Sequence, residues 1–291
     1  MEEDLGQVAG VSDRGLRHSR NEDAMHFAVA DNDDGPVVVA IVCDGVSSAP
    51  RPHDASWTAV HVGITLLAEG AGQGDDPCEA SLGAVRAAGQ ALTELAGPDG
   101  APATTWVSAV VSQREITVCW VGDSRAYWLA ASPAHPVGPN DTMDITGGSR
   151  RVTRDDSLAE EIVAAGLASM DEALASPQAH VITRWLGADL ADPEPHVEQF
   201  SPAGRGVLLL CSDGLWNYRP EAAELASMAM PAALTRPLDA ASDMAKFALD
   251  SGGLDNITVV LIPFPPTGKP EPEEAAPTLV DLDPVEPTRV D

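Results

Sequence analysis

The sequence predicts an α+β protein, and three observations carry that expectation. Apolar runs of strand length come in clusters. Two amphipathic helical stretches stand side by side between those clusters. The strict alternation of strand and helix that marks a doubly wound parallel sheet is absent.

Taken in order, residues 24–30 form a short run, with Glu22-Asp23 immediately before it. Residues 37–43 are rich in Val and Ile and stop at Asp44-Gly45, as a buried strand does. Residues 57–69 and 78–95 carry apolar side chains at three- and four-residue spacing, which reads as two helices joined by a loop at 71–76. Residues 106–112 and 116–121 are strands around Gln113-Arg114, and 126–130 continue as another. A surface loop is expected at 132–150, and helices at 158–166 and 170–174. Residues 207–211 repeat the buried-strand pattern and end at Ser212-Asp213-Gly214. A helix over 240–249 stops at Gly252-Gly253, and 257–262 form the last strand.

The chain has 291 residues, 17 Lys and Arg against 45 Asp and Glu, and a net charge of −28. That balance disfavours phosphate backbones and anionic membrane surfaces, so neither nucleic acid nor membrane is expected as a partner. The start, Met1-Glu2-Glu3-Asp4, lacks the basic and apolar regions of a secretory signal, and a cytoplasmic location is expected. Cys43, Cys78, Cys119 and Cys211 fit neither a disulfide framework nor a zinc pattern. Composition shifts near Pro263. Residues 1–262 read as one folded domain and 263–291 as a disordered acidic Pro-rich tail, with seven acids against Lys269 and Arg289 for a net −5.

Acids recur at strand ends. Asp44, Asp123 and Asp213 each follow an apolar strand beside a Gly, Asp255 precedes the last strand, and Glu22-Asp23 precede the first. Any single Asp-Gly reads as a turn. The set together reads differently, because carboxylates gathered at core strand ends need cations, and hard Mg²⁺ and Mn²⁺ prefer oxygen donors.

Eight elements in order resemble the type 2C metal-dependent protein phosphatases, the PPM family. They are Asn21-Glu22-Asp23-Ala24, Val42-Cys43-Asp44-Gly45, Ala103-Thr104-Thr105, Val121-Gly122-Asp123-Ser124-Arg125, Val152-Thr153-Arg154-Asp155-Asp156-Ser157, Ile182-Thr183-Arg184-Trp185-Leu186-Gly187, Cys211-Ser212-Asp213-Gly214-Leu215-Trp216 and Asp255-Asn256-Ile257-Thr258. The resemblance implies a four-layer αββα sandwich, two antiparallel β-sheets flanked by helix pairs. It implies Mn²⁺ or Mg²⁺ as cofactor: two ions, with a third in many bacterial members. Asp44 would bridge the two ions, the Gly45 carbonyl would bind one, and Asp213 and Asp255 would complete the other. Glu22 would act on the Gly45 side, with Asp23 in support, and Asp123 with Asp213 would hold the third. A water shared by the ions would lose its proton near neutral pH and attack phosphoserine or phosphothreonine in line.

Three positions depart from the pattern, one of them Asp156, which stands where His is common in the family. His18 stands where the family usually has a phosphate-gripping Arg, with Arg17 and Arg20 beside it as alternatives. Val46 stands where eukaryotic members have a His. Other phosphatase chemistries do not fit. Cys43 and Cys211 lack the His-Cys-x₅-Arg setting, and positions 46 and 215 lack the second Asp of an aspartyl-phosphate enzyme. His26, His53, His61, His135, His180 and His196 read as structural or surface residues, and the six Trp as packing residues. The expected function is dephosphorylation of proteins, a Ser/Thr kinase or its substrates among them. The rival is a catalytically weak phosphoprotein-binding regulator on the same fold.

The tail yields a prediction of its own. Thr278 and Thr288 each open a Thr-x-x-Asp sequence, ending at Asp281 and Asp291. That pattern resembles peptides that forkhead-associated domains bind once the Thr is phosphorylated. An acidic solubilising tail is the plainer reading of the same composition. In cells expressing a partner kinase, mass spectrometry should find phosphate on Thr278 or Thr288. Two unmodified threonines would leave only the solubilising tail.

Overall fold

The computed structural model describes residues 1–131, 148–187 and 194–267. The tail from 268 onward and most of the loop expected at 132–150 lie outside the described residues. In chain order the strands are β1 (Glu2–Asp4), β2 (Ala9–Asp13), β3 (Asp23–Asn32), β4 (Gly35–Asp44), β5 (Ala103–Thr104), β6 (Trp106–Val111) and β7 (Ile116–Val121). They continue with β8 (Arg125–Ala130), β9 (Arg150–Arg151), β10 (Leu186–Gly187), β11 (His196–Phe200), β12 (Gly206–Cys211) and β13 (Ile257–Phe264). The helices are α1 (Pro52–Gln73), α2 (Pro77–Glu94), α3 (Leu158–Ala164), α4 (Met170–Leu174), α5 (Asp213–Trp216), α6 (Ala222–Ala229) and α7 (Pro237–Asp250).

Two antiparallel sheets carry the molecule. One runs β1-β2-β13-β12-β8-β9 and the other β11-β7-β6-β4-β3, with β5 and β10 as a separate short pair. Strand period decides which face each side chain serves. In β4, Val38, Ala40 and Val42 point into the space between the sheets, where they meet Phe27, Trp120, Leu208, Leu210 and Val260. Val37, Val39, Ile41 and Cys43 point the other way, onto α1 and α2. On the far side, Leu209, Cys211, Val259 and Leu261 pack on α6 and α7. The result is four layers, helix–sheet–sheet–helix, as expected. The continuous apolar runs in β4 and β12 follow from burial on both faces.

The element boundaries differ in places. α1 extends to Gln73 and stops at Gly74, whose φ of +74° lets its N–H reach the Ala71 and Gly70 carbonyls. The joint to α2 is therefore shorter than the loop read at 71–76. Asp76 caps α2 by accepting from the Cys78 and Glu79 amides. β13 runs to Phe264, which packs edge-on against Trp128 between the sheets. Trp57 is not a packing residue: it is 48% exposed on α1, with the His61 ring 4.2 Å away. All four cysteines are free thiols.

One buried ion pair braces the sheet that carries β8. Arg125 donates through Nε and Nη2 to Asp155 at 2.9 and 2.6 Å, donates to the Tyr127 hydroxyl, and lies 3.5 Å over the Trp216 ring. Removing one partner of such a pair costs about 3–5 kcal/mol, because it strands the other charge. Arg125→Gln should therefore lower unfolding free energy by about that amount in urea titration, eased somewhat by Arg151 3.6 Å from Asp155. A loss under about 1 kcal/mol would show that the pair is replaceable.

Candidate metal centre

The acids singled out in the sequence come to one end of the two sheets. Asp44 is the last residue of β4 and stands opposite Asp23, the first of β3. Asp213 opens α5 directly after β12, Asp123 lies in the turn between β7 and β8, and Asp255 lies just before β13. Burial raises the Asp44 carboxyl well above its ordinary range, and the charges of Asp23, Asp213, Asp123 and Asp255 raise it further. Asp213 is raised well above for the same reasons, burial first, then Asp123, Asp255 and Asp23. Burial likewise lifts Asp123 to about 7 and Asp23 to about 6. The five carboxyls thus form one repelling set.

Two of them, and the residues beside them, are held by local devices. Thr104 and Thr105 clamp Asp44: its N–H donates to Thr105 Oγ1 at 3.0 Å, and its carbonyl accepts from Thr105 N and Thr104 Oγ1, both at 2.8 Å. Asp23 Oδ2 accepts from Ser212 Oγ and Thr258 Oγ1, both at 2.7 Å, which ties β3 to β12 and β13 of the other sheet. Gly45 fits where no side chain would, since a Cβ there would lie 2.4 Å from the Pro52 carbonyl and 2.8 Å from that of Glu22. Asn256 accepts from the Glu22 amide at 2.6 Å and donates to the carbonyls of Arg14 and Arg20.

Two expected residues sit somewhat apart from the repelling set. Glu22 meets Gly45 through its backbone, its carbonyl accepting from Gly45 N at 3.1 Å, while its carboxylate accepts from Ser47 Oγ at 2.5 Å. His18 Nε2 lies 3.2 Å from Asp255 Oδ1, at the rim of the acids. Sequence reading gave no role to Asn256, Ser212 or Thr258, although all three lie inside the quoted motifs. It also had no signal for His196, whose Nε2 is 2.9 Å from Asp156 Oδ1 across 40 residues of chain.

The donor set suits hard divalent cations. It consists of carboxylates and the Gly45 carbonyl, and Oδ1 of Asp213 and Oδ1 of Asp23 are buried without a hydrogen-bond partner. Among the described residues, no three His, Cys, Asp or Glu side chains close around a single point. Water must therefore complete any shell, as it does for Mg²⁺, which sheds water reluctantly.

A sequence profile of the family described as Protein phosphatase 2C matches residues 14–248. The serine/threonine phosphatase stp of Listeria innocua is 33% identical over 160 residues, 55% of this chain and 56% of that protein. The match thus spans just over half the length of that relative. The solved Mycobacterium tuberculosis serine/threonine phosphatase PstP/Ppp superposes with a TM-score of 0.66 at 28% identity, over 87% of this chain and 96% of that one. The catalytic domain of PstP in complex with two manganese ions gives 0.63 at 26% identity, with the same coverage of both chains.

The repelling set makes stability depend on pH in a set direction. Asp23, Asp44, Asp123 and Asp213 have folded pKa values above the unfolded value of about 3.9, so between that pH and about 7 the folded state binds the extra protons. Without metal, stability is gained as pH falls through this window and lost as pH rises through it. In EDTA, the melting temperature should be higher at about pH 5.5 than at about pH 8. Mn²⁺ should remove that difference, adding about 2.7 kcal/mol at a hundredfold excess over its Kd at the upper pH. Melting curves that respond neither to pH in EDTA nor to Mn²⁺ would sink the electrostatic account.

Proposed function

The chain belongs to the protein phosphatase 2C family, and from that membership we propose that it hydrolyses phosphoserine and phosphothreonine on proteins, reversing Ser/Thr kinase signalling in the cytoplasm. In this reading the catalytic domain runs to the end of β13 at Phe264, two residues past the boundary read at 262, and the residues after it are its tail. The observation that carries the proposal is the convergence of Asp44, Asp123, Asp213 and Asp255 at one end of the sandwich, where Asp123 and Asp255 press on both Asp44 and Asp213.

Asp44, the Gly45 carbonyl, Asp213 and Asp255 would hold two Mn²⁺ or Mg²⁺ ions, with Glu22 on the Gly45 side and Asp123 with Asp213 at a third. Bound there, the ions supply positive charge to phosphoryl oxygens and lower the pKa of water toward neutrality. The chain's own residues do the rest. Thr104 and Thr105 fix both backbone polar groups of Asp44, so its carboxylate has a set origin. Asp23, tied to Ser212 and Thr258, stops the two sheet ends from sliding apart under repulsion. His18 is placed at the rim to donate a hydrogen bond to a phosphate oxygen or a proton to the leaving oxygen, and Arg17 and Arg20 are the alternative grips. Cys43 and Cys211 face the helix layers and are buried, so a thiol phosphoenzyme has no nucleophile there.

A chromogenic aryl phosphate with Mn²⁺ and then with EDTA separates turnover from mere binding. Mn²⁺-dependent hydrolysis is expected, and Asp44→Asn should remove nearly all of it while the circular-dichroism spectrum stays. His18→Ala should lower kcat/KM on a phosphopeptide by roughly ten- to a hundredfold, the loss of one charge-assisted contact. A wild-type protein that binds phosphopeptide in Mn²⁺ without turning it over would establish the regulator instead.

A further inference from the structure

The segment between β2 and Asn21 is locally basic. Against a net charge of −28, residues 14–20 contain Arg14, Arg17 and Arg20, one His and no acid. All three arginines are exposed. Several arginines elsewhere pair with acids: Arg125 with Asp155, Arg150 with Glu198, Arg151 and Arg154 with Glu160. Among the described residues, the side chains of Arg17 and Arg20 have no ion-pair or hydrogen-bond partner, and the Arg14 guanidinium reaches only the His18 carbonyl. The nearest acids are engaged: Asp13 Oδ1 accepts from the Gly15 amide at 2.8 Å, and Asp255 faces His18.

The loop is also fixed against the acid cluster. Gly15 has φ +72°, and a Cβ there would lie 2.0 Å from the Asp255 carbonyl, so the backbone touches the residue before Asn256. Leu16 N donates to Gly253 O at 2.8 Å, and the Asn256 amide holds the Arg14 and Arg20 carbonyls at 2.8 and 3.2 Å. Both ends of the arginine run are thereby pinned by one side chain. Beside it, Leu16 is 66% exposed and Leu254 49% exposed, an apolar step at the same rim.

We propose that this loop reads anionic groups flanking the reacting phosphoresidue, so that acidic or multiply phosphorylated segments are the preferred substrate class. The proposal rests on the phosphatase reading above and adds a binding role distinct from gripping the reacting phosphate. Bulk charge argues the other way, toward basic substrates. At a Debye length of about 8 Å, however, distant carboxylates are screened and the nearest charges decide. Arginine suits the task, since its fork pairs with carboxylate or phosphate alike.

The test uses the full chain with Mn²⁺ and four phosphothreonine peptides differing two or three positions from the phosphothreonine: Gln, Glu, phosphoserine or Lys. The Glu and phosphoserine peptides should exceed the Gln peptide in kcat/KM by roughly tenfold at about 0.15 M ionic strength, shrinking as more salt is added. Their ratio separates carboxylate from phosphate as the favoured anion. The double variant Arg17→Gln/Arg20→Gln should bring the preference close to one, and Arg17→Lys/Arg20→Lys should keep most of it. A preference for the Lys peptide, no preference, or an equal fall on all peptides in the Gln variant would overturn the proposal. The last result would put the arginines on the reacting phosphate. No turnover of any peptide would overturn the activity itself, and this inference with it.

Discussion

Repulsion among carboxylates at one end of two packed sheets sets the terms for the surrounding structure. Burial raises the pKa of Asp23, Asp44, Asp123 and Asp213, and the charges of Asp23, Asp123 and Asp255 raise Asp44 and Asp213 further. Left alone, such a set would push the sheet ends apart or force protonation. The neighbouring residues answer with rigid hydrogen bonds. Hydroxyls of Ser212 and Thr258 hold Asp23, Ser12 bonds Thr258 in turn, and Asn21 donates to Ser12. That chain runs through β3, β12, β13 and β2, so the acids are borne by both sheets and by neither alone. The apolar layer between the sheets makes this possible, because it fixes the separation across which those short polar side chains reach.

Much of this was legible from residue order. The layers follow from runs such as 37–43 and 207–211, whose lack of polar alternation already meant burial on both faces. The acids were visible because each sits beside a Gly at a strand end, a position the eye can find without coordinates. The supporting polar contacts were not. Asn256 reaches back to Arg14, Arg20 and Glu22, more than 230 residues away, and no local pattern encodes such a partner. The short strands β5, β9 and β10, two residues each, carry no period at all and exist only through their pairing. Trp57 misled for a related reason. Its helical spacing matched the apolar stripe, yet it falls at the stripe's outer edge, where it lies among the His53 and His61 rings.

The departure at position 156 shows how the fold transmits order from one acid to the next. Asp156 stands where the resemblance leads one to expect His. Its carboxylate accepts from the Gly122 amide at 2.9 Å, its own amide donates to the Gly122 carbonyl at 2.9 Å, and its carbonyl accepts from Thr183. A neutral imidazole offers one acceptor nitrogen, whereas a carboxylate accepts from Gly122 on one oxygen and faces His196 on the other. An imidazole is nonetheless at hand: His196 stacks on Trp120 and faces that acid.

That turn admits only glycine. Gly122 has φ +102°, and a Cβ would lie 2.9 Å from Thr105 Cγ2. Thr105 in turn bonds Ser124 on one side and the Asp44 amide on the other. A continuous path of contacts therefore leads from Asp156 through Gly122 and Thr105 to Asp44, with Asp123 and Ser124 riding on the same turn. Displacing Asp156 would move Asp123 and Asp44 together. Asp44 ends β4 and Asp123 lies in the turn after β7, 79 positions apart in sequence. Their relative position is set by that shared turn as much as by the sheet register, so Asp156, whose charge also raises the Asp123 pKa, shapes the cluster by geometry as well as by charge.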